Sequence, residues 1–177
     1  LDAFHLAQLW LPSRTEKFKH LVENFMTRID QDGCLPVRLN ASPFKPQFSE
    51  CPLLASLCLL IYEIDRDTDF LQNVFPMLRE ISDRWFTSNK ISKSEIPLVW
   101  ESLEQLQISS GFFKFDIWEE TGSGLDIKFA ESPALAAMLQ REAGALGKIA
   151  NILQQPSIQN HYEGLESKLR EVTKDFW

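Results

Sequence analysis

Hydrophobic residues recur along this chain at helical rather than alternating spacing. Phe18, Leu21, Val22, Phe25 and Ile29 fall three or four apart, which puts a core stripe on one face of a helix over 14–30. Just before it, Ser13-Arg-Thr-Glu16 has the capping-box pattern, in which the Ser13 hydroxyl and the Glu16 carboxylate satisfy N–H groups of the first turn. Asp30-Gln-Asp-Gly33 ends that helix, and Pro36, Pro43, Pro46 and Pro52 mark the loop that follows. Over 53–65 the pattern changes. Leu53, Leu54, Leu57, Cys58, Leu60, Ile61 and Ile64 leave little polar face, which predicts a buried helix.

Thr68 is expected to cap a short turn carrying Phe70, Leu71, Val74 and Phe75. Pro76 then suits the first turn of a separate helix over 76–87, with a kink or break at Phe75-Pro76. Ser132-Pro133 opens a helix over 132–153 along Leu135, Met138, Leu139, Glu142, Leu146 and Ile149. Tyr162, Leu165, Leu169, Val172 and Phe176 give a last amphipathic helix over 158–176. Between 87 and 131 no period is sustained, so 88–131 is expected to be largely irregular, and a loop that long in a compact domain is usually functional.

The pattern implies an all-α chain, 1–177 as a single domain, of five or six helices joined alternately by long and short connections. Apolar helices such as 53–65 would be inner and striped ones outer. A toroid of helical hairpins fits this alternation better than an up-down bundle, which has no need of a loop of some forty residues at one end.

Composition narrows the chemistry. With 44% hydrophobic residues the chain can build a core, which excludes disorder. A net charge of −7 with scattered Lys and Arg leaves no cationic face for phosphates, so no nucleic-acid partner is expected, and sugars, neutral small molecules or proteins fit better. No run of apolar residues is long enough for a membrane span. Leu1 to Leu11 is apolar but lacks the basic start and cleavage site of a signal peptide. Cys34, Cys51 and Cys58 form no C-x-x-C pair, which disfavours a disulfide framework and a zinc site and points to a reduced, cytoplasmic compartment.

Asp30-Gln-Asp32-Gly33 begins like a calcium loop, but Arg38 and Ala41 occupy its ninth and twelfth positions, so it reads as a turn. His5, His20 and His161 lack metalloprotease spacing, and no Gly-rich nucleotide loop or G-x-S-x-G occurs. No metal and no cofactor are expected.

Several blocks resemble glycosidases built on a six-hairpin (α/α) toroid, and most of all mannosylglycerate hydrolase-like enzymes related to glycoside hydrolase family 63. They are Pro52-Leu-Leu-Ala-Ser56, Tyr62-Glu-Ile64, Phe70-Leu-Gln-Asn-Val-Phe-Pro76, Arg84-Trp-Phe86, Ile96-Pro-Leu-Val-Trp100 followed by Gln107, and above all Gly124-Leu-Asp-Ile127 running into Glu131-Ser-Pro-Ala-Leu-Ala-Ala-Met-Leu139 and Arg141-Glu142. Leu1-Asp2-Ala3-Phe4 resembles the end of the family's Trp-Asp-x-Phe segment. The resemblance implies about half of an (α/α)6 toroid, with the remaining half missing from this chain. It also implies a parent enzyme that hydrolyses, by inversion, an α-glycosidic bond in a small glycoside or oligosaccharide. The family's general base lies much later in the chain than its acid, so this chain alone is expected to be inactive. Two departures stand out. Ile108-Ser-Ser-Gly-Phe replaces an acidic pair and Asn-Pro after Gln107, and Ser49-Glu-Cys-Pro52 replaces Gln-Pro-Pro. The first keeps open a non-catalytic, degenerate helical module that binds carbohydrate or a protein partner.

Inverting hydrolysis needs two carboxyl groups roughly 6.5 to 9.5 Å apart, one of them protonated. Asp126 is the candidate general acid because Gly122 and Gly124 free the backbone before it, although the dipole of the following helix lowers a carboxylate pKa and so suits a sugar-hydroxyl acceptor better than a proton donor. Asp116, beside Ile117-Trp118, is the runner-up, since an apolar wall raises a carboxyl pKa. Trp100 and Trp118 are candidates for stacking on sugar faces or for core packing. Gln107 and Asp2 are candidate substrate contacts through the resemblance. Glu142, within an apolar helix, is either a substrate contact or a buried hydrogen-bonding partner of the 124–127 loop.

Overall fold

A computed structural model describes residues 2–29, 53–87, 98 and 131–174. Among them it contains five helices and no strand: α1 (Asp2–Met26), α2 (Leu54–Asp65), α3 (Thr68–Thr87), α4 (Pro133–Ile152) and α5 (Pro156–Lys174). The expected irregular stretch 88–131 lies outside the described residues apart from Leu98 and Glu131.

A helix does begin after Ser13-Arg14 as expected, but a further helical stretch precedes it, and the Ser13 hydroxyl is turned to that stretch. α1 starts at Asp2 and bends at Arg14, whose φ of −145° and ψ of 31° leave the helical region. Pro12 lies just before the kink and removes the N–H that would bond the Gln8 carbonyl, so the turn that precedes the kink is already short of one hydrogen bond. Instead of capping a first turn, the Ser13 hydroxyl donates back to the Trp10 carbonyl at 3.1 Å, and Thr15 donates to Leu11 at 3.0 Å. Burial of Phe4, Ala7 and Leu11 holds the first half of α1 on the core, and Phe18, Val22 and Met26 continue the stripe beyond the bend.

α2 is the buried helix its composition predicts, with Leu54 through Cys58 and Ile61 inside. It ends at Arg66 in the left-handed region, φ 59°, whose N–H returns to Tyr62. The cap of α3 is Asp67 rather than Thr68, its carboxylate accepting from the Phe70 N–H at 2.9 Å. Nor does α3 break at Phe75-Pro76. Pro76 sits on the solvent face, as does Gln72, whose carbonyl loses its helical donor there and can turn to water, while Phe70, Leu71, Val74, Phe75, Leu78, Ile81 and Trp85 hold the opposite face in the core. α4 begins as predicted, with Ser132 accepting from the Leu135 N–H and Pro133 in the first turn. α5 begins at Pro156, two residues before the expected start.

The directions of the helices follow from which residues meet. A two-residue turn makes α3 antiparallel to α2. Trp85 near the end of α3 shares a cluster with Leu135 and Leu139 near the start of α4, so α3 and α4 are antiparallel and α2 and α4 run the same way. Gly144 faces Glu166 and Gly147 faces Glu163, which makes α5 antiparallel to α4. In packing, α1 lies on α2 and α3, α2 on α3 and α4, and α3 on α4, while α4 and α5 share the most extensive contact. Among the described residues the large exposed hydrophobic side chains are Leu6, Leu9 and Trp10 on the first half of α1, at 53%, 78% and 49%, with Ile64 on α2 and Met77 on α3. None of the described helices is long and apolar enough to cross a membrane.

Candidate functional site

α2 begins without a cap of its own, because Leu53 occupies the N-cap position and has no acceptor to offer. Glu142 supplies it from α4. One carboxylate oxygen accepts from the Ala55 N–H at 2.6 Å; the other accepts from the Ser56 N–H at 3.0 Å and the Ser56 hydroxyl at 2.9 Å. The side chain is buried, 2% exposed, so these three donors replace water. Burial pushes the carboxyl above its ordinary range, against the opposing pull of the Ala55 and Ser56 bonds and of the Arg141 charge. Cys58 lies one turn further along α2, and burial, with the Glu142 charge added, pushes its thiol well up and leaves it un-ionised.

The adjacent residue ties down a third helix. The Arg141 guanidinium sits 4.5 Å from the centre of the Phe4 ring of α1. The dipeptide Arg141-Glu142 therefore fastens both α1 and α2 to α4. The sequence reading left Glu142 between a substrate contact and a partner of the 124–127 loop. Among the described residues its partner is the start of α2, and the side chain is buried, while the 124–127 loop lies outside the described residues. Asp2 opens α1 two residues before Phe4, so its backbone lies near the Arg141 contact. Leu53, where the chain enters α2, and Glu131, where it enters α4, lead into helices that run the same way. Trp100, Gln107, Asp116, Trp118 and Asp126 lie outside the described residues.

A second polar centre went unread in the sequence. Lys19, 8% exposed, reaches from α1 to the α2–α3 turn, 2.6 Å from both Asp65 and Asp67, with Glu16 at 3.4 Å. Burial acts to lower the lysine pKa, but the bonds to Asp65 and Asp67 outweigh it and the net shift is upward. The same bond to Lys19, then the Phe70 N–H, holds Asp67 below the usual carboxylate range. A groove of about 520 Å³ runs beside it between α1 and α3, with Glu16, Glu23, Asp67 and Asp69 over a floor of Phe70 and Met77. The lysine is spent on its own carboxylates, so this is a structural tie. The signal for it was a Lys inside the Phe18–Val22 stripe and a pair of aspartates at a two-residue turn.

Replacing Lys19 with Met is expected to cost about 2 kcal/mol, less than the ~3–5 for breaking a fully buried pair because the Asp67 side chain is 37% exposed and screened by solvent. Asp67 adds stability above the ordinary carboxylate range that is lost as pH falls through its depressed pKa. Denaturant midpoints of wild type and K19M should therefore converge under acid and separate at neutral pH.

Tyr162 of α5 is buried and donates to Asp83 of α3 at 2.7 Å. Burial, with the Asp83 bond and charge, pushes its hydroxyl up, so it serves as a neutral donor. Among the described residues no group of His, Cys, Asp or Glu could hold a metal ion. No protein-family model matches the chain, and neither curated proteins nor solved structures yield a match.

Proposed function

We propose that this chain forms part of a glycoside hydrolase that cleaves an α-glycosidic bond in a small glycoside or oligosaccharide by inversion, on an (α/α) toroid of helical hairpins. The carrying observation is the order of packing. An apolar helix, α2, lies between the striped helices α1 and α3; a second apolar-faced helix, α4, lies parallel to α2 and between α3 and α5. That order supports the reading, in which α1, α3 and α5 would be outer and α2 and α4 inner helices of such a toroid. Both long segments, 30–52 and 88–131, then lead into inner helices, and the second carries Asp116, Trp118 and Asp126. In this reading Asp126 is the general acid, with Asp116 as the other candidate, and Trp100, Trp118, Gln107 and Asp2 contact the sugar.

The test is hydrolysis of α-linked glucosides and mannosides by the whole protein, with the anomer of the first product followed by NMR. Inversion gives the β-anomer first. Replacing Asp126 with Asn is expected to lower kcat at least tenfold for an acid, since acid catalysis typically supplies about 10²- to 10⁴-fold. For a sugar contact it mostly raises KM. Unchanged kcat and KM would remove Asp126 from the site. One observation favours a second reading, a degenerate module that binds carbohydrate without cleaving it: Ile108-Ser-Ser-Gly stands where an acidic pair belongs. Sugar binding with no turnover would select that reading.

A further inference from the structure

We propose that the hollow along the bend of α1 is a docking surface for an amphipathic helix of a partner protein, which lays an apolar stripe on Leu6 and Trp10 and sets carboxylates against Arg14 and Lys17. The proposal does not depend on the glycosidase reading. A hollow of about 410 Å³ is lined, among the described residues, by α1 alone: Leu6 and Trp10 before the bend at Arg14, and Lys17, Phe18 and Leu21 after it. The bend brings both arms of α1 to one concavity, where a straight helix would present a convex cylinder. The floor is held by the core, since Phe18 is buried in the main cluster and Leu21 packs against it. The rim is open. Leu6 and Trp10 are about half exposed, and Leu9, one turn from Leu6 and 78% exposed, carries the apolar patch beyond the hollow.

Charge says what covers it. The chain carries −7, yet the described lining holds two cations and no carboxylate. Neither Arg14 nor Lys17 makes an ion pair among the described residues. The Arg14 guanidinium rests 5.2 Å from the centre of the Trp10 ring, which keeps a forked donor at the edge of the apolar surface. The exposed acids of α1 face elsewhere, with Glu16 and Glu23 lining the groove shared with α3. The complementary occupant is therefore apolar and acidic. An acyl chain would fill the hollow and leave Leu9 uncovered. An anionic bilayer would attract two cations and repel the net charge of −7. A second copy docked hollow to hollow would set the same cations against each other. A helix is roughly 10 Å across, wide enough for the hollow and Leu9 together, and Leu6 to Leu21 runs roughly 20 Å, about four turns.

The test titrates the whole protein with two labelled synthetic helical peptides of about 18 residues, read by fluorescence anisotropy. Both carry Leu along one face; the flanking positions are Glu in one and Lys in the other. The Glu peptide is expected to bind wild type at least about tenfold more tightly at ~50 mM salt, with the ratio shrinking at ~500 mM. Arg14→Glu with Lys17→Glu changes two exposed side chains and should reverse the preference, a gain that a misfolded variant cannot show. Trp10→Ala should weaken the Glu peptide about tenfold or more.

No binding of either peptide, equal affinity for both, or a preference that the charge reversal leaves unchanged overturns the proposal. So does a wild-type dimer in sedimentation that Leu9→Glu dissociates, because a second copy is then the occupant. Saturable binding of laurate that Trp10→Ala abolishes, with no peptide bound, overturns it in favour of a single acyl chain.

Discussion

Replacing Glu142 with Ala should destabilise the protein by about 3 kcal/mol, although the residue removed is an acid in an apolar helix. The loss comes from what stays behind. Two first-turn N–H groups and one hydroxyl of α2 lose the acceptor they use, and Leu53, at the N-cap position, has none to offer in its place. Each stranded group costs roughly 1–3 kcal/mol, and the vacated carboxyethyl space adds a cavity term. Release of a desolvated carboxylate offsets part of this, which keeps the net effect below the sum. At this chain length 3 kcal/mol corresponds to about 10 °C in Tm. Calorimetry and urea unfolding of the variant check it, and a loss under about 1 kcal/mol would show that α2 finds its acceptors elsewhere.

The pH dependence has a definite sign. Burial raises the folded-state pKa of Glu142, so the folded chain holds that proton more tightly than the unfolded chain does. Its contribution is fully present below the ordinary carboxyl pKa and falls away as pH rises through the raised value. The gap between wild type and Glu142→Ala should therefore be widest under mild acid and narrow as the pH rises. The Lys19–Asp67 tie behaves oppositely, since a depressed carboxylate loses its contribution on acidification.

Periodicity made the five helices legible because their buried faces are built by residues close in sequence. The departures came where local signals competed with long-range packing. Ser13-Arg-Thr-Glu16 reads as a helix start, and the chain does kink at Arg14, but the helical stretch before the kink was not read, because Phe4, Ala7 and Leu11 are held by packing on residues far along the chain. Pro76 reads as a boundary, but only its position on the solvent face, visible once the fold is known, shows that the lost hydrogen bond is cheap. Glu142 was legible as a buried acid and its partner was not. A helix starting at an apolar residue and an acid stranded in another helix's core stripe are two halves of one bond, and nothing local says that they meet. The candidate acids and tryptophans of 100–126 depend on the sequence argument alone.

The largest packing effect is expected at Trp85. Its side chain is 2% exposed and fills the space among Leu98, Leu135, Leu139, Ala143 and Leu169, so it joins α3 to the first half of α4 and to α5. Truncation to Ala should cost about 3–5 kcal/mol, because the surrounding helices are held by their other contacts and cannot close on a void that size. Phe should recover more than half of that. The local consequence is more informative than the total. Leu98 packs in the same cluster, and its carbonyl accepts from the Ser132 N–H at 2.8 Å, immediately before α4 begins. Loss of the indole removes the surface on which Leu98 rests and so loosens that bond. Hydrogen exchange at Ser132 should then quicken in Trp85→Ala by more than the global destabilisation explains, while the amides of α1 follow the global change. Equal acceleration at both would mean that Leu98 is held by other contacts and that Trp85 contributes volume to the core without securing the segment that leads into α4.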